Sequence, residues 1–337
     1  MVTIDSDLVV FNGRVHYVSP GRVLGSIGYR LFDSHDGGHT WRLLGVVRRG
    51  LMRSMMIRLP LASRLLRRGI HHVIPQDDRL VVFVDDQIKI LQSASFEEMS
   101  ASKMTSSRPM VVCKTTDGVV LYGEYRSNKE RSPIKVYALP PGETSWHEIY
   151  RFSGVRHVHG VFEDPYTRHI WLTTGDDDTE SAIWKTSDNF DTVVKIAGGS
   201  QQTRAVQLVF TESHVYFGSD TPREQNALYR MEKETGVAEK LVAVNGSVFY
   251  GGTVAGNLFF TTAVEPSDVN TEPFATLWYG GEDDSWMPVR AFRKDRWHPR
   301  YFQYGQILVA VGPGDGENIW VTPFAVEACS GSIRLPL

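Results

Sequence analysis

Short apolar stretches alternate with polar turns along almost the whole chain, and few of them carry helical spacing. The segment "HVHGVFEDPYTRHIWLTTGDDDTESAIWKTSDNFDTVVKI" (157–196) holds the unit in full: strand, turn, strand, polar loop, strand, turn, strand. Period-two alternation bounded by Gly, Asp, Asn and Ser marks short β-strands. The pattern returns in 7–47, 71–99, 109–150, 204–244, 247–292 and 300–327. Four strands per unit, at a spacing of roughly 45–50 residues, predict an all-β fold: a β-propeller of four-stranded antiparallel blades. Seven blades are preferred; six result if the two chain ends form one composite blade. The last blade is expected to close with "IRLPL" or with a strand from the N-terminal segment. No Pro/Gly/Ser linker or composition break appears, so 1–337 reads as a single propeller domain.

One stretch breaks the pattern. "RRGLMRSMMIRLPLASRLLRRG" (48–69) carries seven arginines, and no acid occurs from Gly37 through Gln76. "LASRLLRRG" predicts a short helix with Leu61, Leu65 and Leu66 on one side, stopped at Gly69. As a connection between blades it suits three roles: an insertion packed on the propeller, a contact with a membrane surface, or a lid over an anionic substrate.

The turn "SHDGGHTW" (34–41) sits between two apolar runs, as the tip of a hairpin does. Its S-x-D-x-G-x-T-W spacing resembles the Asp box of sialidases and other BNR-repeat propellers. A degenerate second copy, "TSDNFDTVV" (186–194), keeps Ser187, Asp188 and Thr192, with Phe190 in place of the glycine. The resemblance implies a propeller with both boxes at turns between third and fourth strands, on the face away from any active site. It does not imply sialidase activity. The arginine triad, the Tyr–Glu pair and the Asp acid/base are not recognisable, and "IRLP" (57–60) follows the first box instead of preceding it.

Composition narrows the picture only slightly. With 337 residues, 42% hydrophobic, 22% charged and a net charge of −3, the chain is an ordinary globular one. It has no apolar run long enough to span a bilayer, and its acidic N-terminal stretch lacks a secretory pattern. A cytoplasmic location follows as the expectation, peripheral to the membrane if 48–69 docks there. Cys113 and Cys329 are too far apart for a CxxC site. The balance of charge argues against nucleic acid as a partner.

Candidate chemistry comes from aligning the innermost strands. Counting back from each first turn places Asp7, His72, His159, Gln207, Tyr250 and Arg300 at equivalent positions, with His157 and His298 two residues earlier on the same face. Arg204 stands beside them. Such a lining suits a carbohydrate-active enzyme, a glycoside hydrolase or lyase, acting on an acidic sugar or another anionic small molecule. His72 and His159 would be base or divalent-metal ligands, Tyr250 the acid, and Arg300 the carboxylate clamp; His157, Gln207, His298, Arg204 and Asp7 would bind substrate. The ligand types are similar to those of oligogalacturonate lyases, which are propellers with a His/Gln metal site. The alternative is a non-catalytic propeller binding a glycan, protein or membrane surface. The loop "GDDDTES" (175–181) adds Asp176, Asp177, Asp178 and Glu180, either as a solvated acidic loop or as ligands for a cation or sugar hydroxyls.

Overall fold

The computed structural model describes residues 9–57, 59–105, 108–282, 285–327 and 329–336. Asp7 lies outside them. The fold is all-β: seven four-stranded antiparallel sheets, the blades of a β-propeller. After β1 (Val9–Phe11), the first sheet is β2 (Arg14–Ser19), β3 (Arg22–Ile27), β4 (Arg30–Ser34) and β5 (Arg42–Val46). Two short helices follow, α1 (Leu51–Met56) and α2 (Pro60–Leu65). The second sheet is β6 (Ile70–Gln76), β7 (Arg79–Val84), β8 (Gln87–Gln92) and β9 (Glu98–Lys103). The third is β10 (Val112–Lys114), β11 (Val120–Gly123), β12 (Ile134–Leu139) and β13 (His147–Phe152). The fourth is β14 (His157–Glu163), β15 (Ile170–Gly175), β16 (Ala182–Thr186) and β17 (Val194–Gly198). The fifth is β18 (Ala205–Phe210), β19 (His214–Ser219), β20 (Ala227–Glu232) and β21 (Ala238–Ala243). The sixth is β22 (Ser247–Val254), β23 (Asn257–Ala263), β24 (Phe274–Gly280) and β25 (Met287–Arg293). After α3 (Pro299–Phe302), the seventh comprises β26 (Gln306–Val309), β27 (Asn318–Phe324) and β28 (Ser332–Pro336), with β1 as its outer strand. Both expected closing devices are therefore used: "IRLP" (333–336) lies in the third strand of this sheet and the N-terminal segment supplies the fourth, so this composite completes seven blades and does not reduce the count to six.

Strand composition follows position in the sheet. β7 (RLVVFV) is buried on both faces and reads as a continuous apolar run. Outer strands such as β9 (EMSASK) and β21 (AEKLVA) are largely exposed and correspondingly polar. The chain divides into two compact units, one of Met1–Ser102, Thr253–Glu265 and Pro273–Leu337, the other of Lys103–Gly252 and Pro266–Glu272. The first has cores around Leu24, Leu31, Val73 and Leu80 and around Ile307, Val321 and Ile333. The second is built around Trp171, Ile183, Phe217 and Met231. Each such apolar side chain contributes about 1.5–3 kcal/mol on burial.

The first strands are not regular. The pairing register slips between Val15 and Tyr17, Ile70 and His72, Val158 and Gly160, and Ala205 and Leu208. An extra residue at such a β-bulge re-aims its neighbours. The register thus makes His16, His71 and His159 equivalent, and it moves His72 out of the place that uninterrupted counting gives it.

The "SHDGGHTW" turn does join third and fourth strands, β4 and β5. Asp36 accepts from Thr40 N (2.9 Å), Thr40 Oγ1 (2.6 Å) and Ser34 Oγ (2.7 Å), and Gly38 N donates to Ser34 Oγ (2.9 Å). Trp41 stacks on Phe11 at 4.1 Å. The "TSDNFDTVV" turn, between β16 and β17, repeats the network with Thr186, not Ser187, as the hydroxyl. Thr186 Oγ1 donates to Asp188 (2.9 Å) and accepts from Phe190 N (3.1 Å), while Thr192 N donates to Asp188 (2.9 Å). Phe190 adopts φ +73°, the left-handed conformation Gly38 takes in the first turn.

The insertion forms two helices where one was expected, and neither α1 nor α2 has a buried residue. Leu51, Met52, Met55 and Leu59 are exposed. Several of its arginines are spent on the chain's own acids: Arg49 and Arg53 on Asp85 and Asp86, and Arg64 on Asp295. No helix among the described residues is long and apolar enough to cross a membrane.

Candidate functional site

In four consecutive sheets an acidic residue follows the second strand directly: Asp85 after β7, Glu124 after β11, Asp176 after β15 and Asp220 after β19. Arginine meets each of them. The densest of these junctions lies within the second compact unit, around Asp176.

The ladder between β14 and β15 pairs His157 with Gly175, which brings Asp176 beside His157. The bulge at His159 then swings its imidazole back toward the same carboxylate. His157 Nε2 and His159 Nε2 lie 3.0 Å apart, at 3.2 and 3.4 Å from Asp176 Oδ1. Gly175 makes room for this: a Cβ there would fall 2.6 Å from His159 Cε1. Arg156, just before β14, reaches Asp176 Oδ2 at 2.8 Å. Arg204, just before β18, bridges Asp176 Oδ1 (3.1 Å) and Asp220 (3.4 Å). Gln201 Nε2 holds the Asp176 backbone carbonyl at 3.0 Å. The Tyr125 ring lies against His157, centroids 4.2 Å apart.

Both imidazoles are buried. Burial lowers the pKa of His159, against the upward pull of the nearby Asp176 carboxylate. Burial alone would raise Asp176, but its close neighbours His157, His159 and Arg204 hold it far below the usual carboxylate range. The two Nε2 atoms and the carboxylate could accept and deliver a proton or hold a metal ion, since one ligand atom from each lies within 4.8 Å of the others.

Of the residues singled out from sequence, His157, His159 and Arg204 meet here. Gln207, on β18, donates to the Leu208 carbonyl (2.9 Å). Tyr250, on β22, is half-buried with its ring edge to Phe249. His72, His298 and Arg300 belong to the other compact unit. His72 lies edge-on to Phe83 at 5.6 Å. His298 and Arg300 are not on an innermost strand at all. His298 caps α3 by accepting from Arg300 N, Arg300 is exposed, and the innermost strand of that sheet begins only at Gln306. Sequence reasoning missed Tyr125, Gln201 and Asp220. The strings "GD" and "SD" closing two successive second strands were the available signal for Asp220.

His16 gives a stability prediction that leaves the Asp176 cluster untouched. Burial, with the charges of Arg14 and His72, lowers its pKa well below the ordinary value, opposed by a backbone hydrogen bond at His71; its Nε2 is 2.7 Å from Ser26 Oγ. The unfolded chain takes up this proton as pH falls through about 6.5, and the folded chain resists it. Stability should therefore decline on acidification from pH 7 to pH 5, by about 1 kcal/mol per pH unit from this group once below 6.5. Urea melts across that range should show a shallower slope for His16→Gln; equal slopes would refute the assignment.

No protein family and no curated protein matches the chain. Solved structures do. A chain of the mitotic checkpoint complex aligns over 99% of this chain and 91% of its own, with a TM-score of 0.61 and 11% identity. One described as the extracellular domain of a hybrid two component system from B. thetaiotaomicron aligns over 99% and 39%, with a TM-score of 0.58 and 12% identity. A prolyl endopeptidase aligns over 94% and 47%, with a TM-score of 0.57 and 9% identity. At such identities the likeness is one of fold, the β-propeller, shared by proteins of unlike activity.

Proposed function

We propose that this chain is a carbohydrate-active propeller, and that it takes an acidic sugar at the Asp176 cluster of the second compact unit, not at a site led by His72, Tyr250 and Arg300. The observation that carries the reading is the convergence of Arg156, Arg204, His157 and His159 on one carboxylate. Guanidinium groups pair with a ligand carboxylate. Imidazoles exchange protons near neutral pH or hold a metal beside the reacting carbon. Tyr125, half-buried over His157, offers an aromatic face to a sugar ring. The two turns with Asp-box-like spacing support kinship with Asp-box propellers, though not a sialidase reaction.

The test is a panel of uronic-acid and neutral oligosaccharides, scored by calorimetry and by product analysis. Uronic-acid oligomers should bind, and Arg156→Ala and Tyr125→Ala should each weaken binding at least about tenfold. Binding without turnover favours the non-catalytic alternative at the same site. Folded protein that binds no member of the panel refutes the reading.

A further inference from the structure

The far-side hydrogen bonds of the two histidines leave both Nε2 atoms facing one another and a carboxylate. His159 Nδ1 lies 3.0 Å from the Ala205 carbonyl, and His157 Nδ1 lies 3.3 Å from the Arg126 carbonyl. A carbonyl oxygen only accepts, so both Nδ1 atoms carry the hydrogen. In the neutral tautomer both Nε2 atoms are then bare lone pairs. They face each other at 3.0 Å and face a carboxylate oxygen at 3.2 and 3.4 Å. Three electron-rich atoms in contact, on rings 3% and 1% exposed, repel unless something positive lies between them.

We propose that His157 Nε2, His159 Nε2 and Asp176 Oδ1 are the protein ligands of a divalent first-row transition metal. Three atoms with these separations can all stand about 2.1 Å from one point lying to one side of their plane, the bond length of Zn²⁺ to imidazole and carboxylate. One side of the ion is left for water or a ligand, the arrangement of reactive rather than purely structural metal sites. The Nδ1–H to carbonyl hydrogen bonds on both histidines are the outer contacts that fix a ligating tautomer and aim Nε2. Asp176 retains a lone pair for the metal, since Arg156 occupies Oδ2 and Arg204 takes one position on Oδ1. Two imidazoles and one carboxylate favour Zn²⁺, Mn²⁺, Fe²⁺ or Co²⁺ over Mg²⁺ and Ca²⁺, which prefer all-oxygen shells. The site stands without any sugar, so it goes beyond the functional reading above.

The experiment uses the whole chain, stripped with chelator and titrated with Zn²⁺ and with Co²⁺. One equivalent should bind, Co²⁺ should develop the visible d–d bands of a nitrogen-containing site, and His157→Gln and His159→Gln should each lower affinity at least tenfold. Should either variant fail to fold, Cu²⁺ on the wild-type chain should give an electron paramagnetic resonance spectrum with coupling to two imidazole nitrogens. Folded wild-type protein that binds no metal, or binds it without imidazole coupling, overturns the proposal in favour of a proton shared between the rings. Neither readout depends on carbohydrate. Metal binding with no sugar bound would defeat only the functional reading, and sugar binding by metal-free protein would defeat only this one.

Discussion

Replacing Asp85 by Ala is expected to remove about 3–5 kcal/mol of stability, enough to threaten the fold of a marginally stable chain. Its side chain is fully buried and gathers an unusual set of donors. Tyr29 Oη lies at 2.9 and 3.1 Å from its oxygens, Gly69 N at 2.9 Å and Arg49 Nε at 3.0 Å, with Arg53 and Arg68 within 4 Å. Arg49 is itself only 5% exposed, so removal of the carboxylate strands charge away from water. Asp85 also sits at φ +51°, where Ala is disfavoured and Asn is tolerated. Asp85→Asn should therefore do less damage, about 2–3 kcal/mol, by removing charge without adding backbone strain. Because Arg49, Arg53, Arg68 and Gly69 belong to the arginine-rich insertion, both variants should expose residues 48–69 to trypsin before the rest unfolds. Urea melts within 1 kcal/mol of wild type, together with an unchanged trypsin pattern, would contradict this account.

The second large effect is expected at Asp176. Asp176→Ala leaves Arg156 and Arg204 without their shared acceptor and removes the partner of two buried imidazoles. Removal of one member of a fully buried ion pair costs about 3–5 kcal/mol. Asp176 is 17% exposed and Arg156 33%, so solvent screens part of that, and about 2–4 kcal/mol is the expected loss. Asp176→Asn keeps an acceptor oxygen and should recover part of it. Chemical denaturation of the two variants beside Glu212→Ala, an exposed site, gives the comparison. The Asp176 picture fails if all three behave alike.

The sheets were readable because their physical cause is local. Period-two alternation, polar outer strands and turn residues each leave a mark on the sequence within a few positions. The Asp36 turn was readable for the same reason. The site was readable only in part. His157, His159 and Arg204 were picked out, but the residue that gathers them, Asp176, was seen only as one of several loop acids. Counting by twos from the first turn assumes an uninterrupted strand, and bulges at His16, His71 and His159 interrupt it. A bulge depends on how the partner strand pairs, which no single stretch of sequence records. Likewise, His298 and Arg300 look strand-like until Pro299 is seen to open a helix.

The seventh sheet bears on how the molecule is made. Val9 pairs with Ile333, and Ser332 Oγ donates to the Gly13 carbonyl while accepting from Val15 N. More than 300 residues separate these partners. At a translation rate of roughly 5–20 residues per second, β1 waits on the order of 15–65 seconds for β28 to leave the ribosome. During that interval Val9, Val10 and Phe11 form an unpaired apolar edge. Early-synthesised sheets can mature while the nascent chain is still held open, and this fastening comes only after β28 has been made. Premature termination before β28 would therefore leave its mark more than 300 residues away, at β1, as a sticky segment open to chaperones and to neighbouring nascent chains.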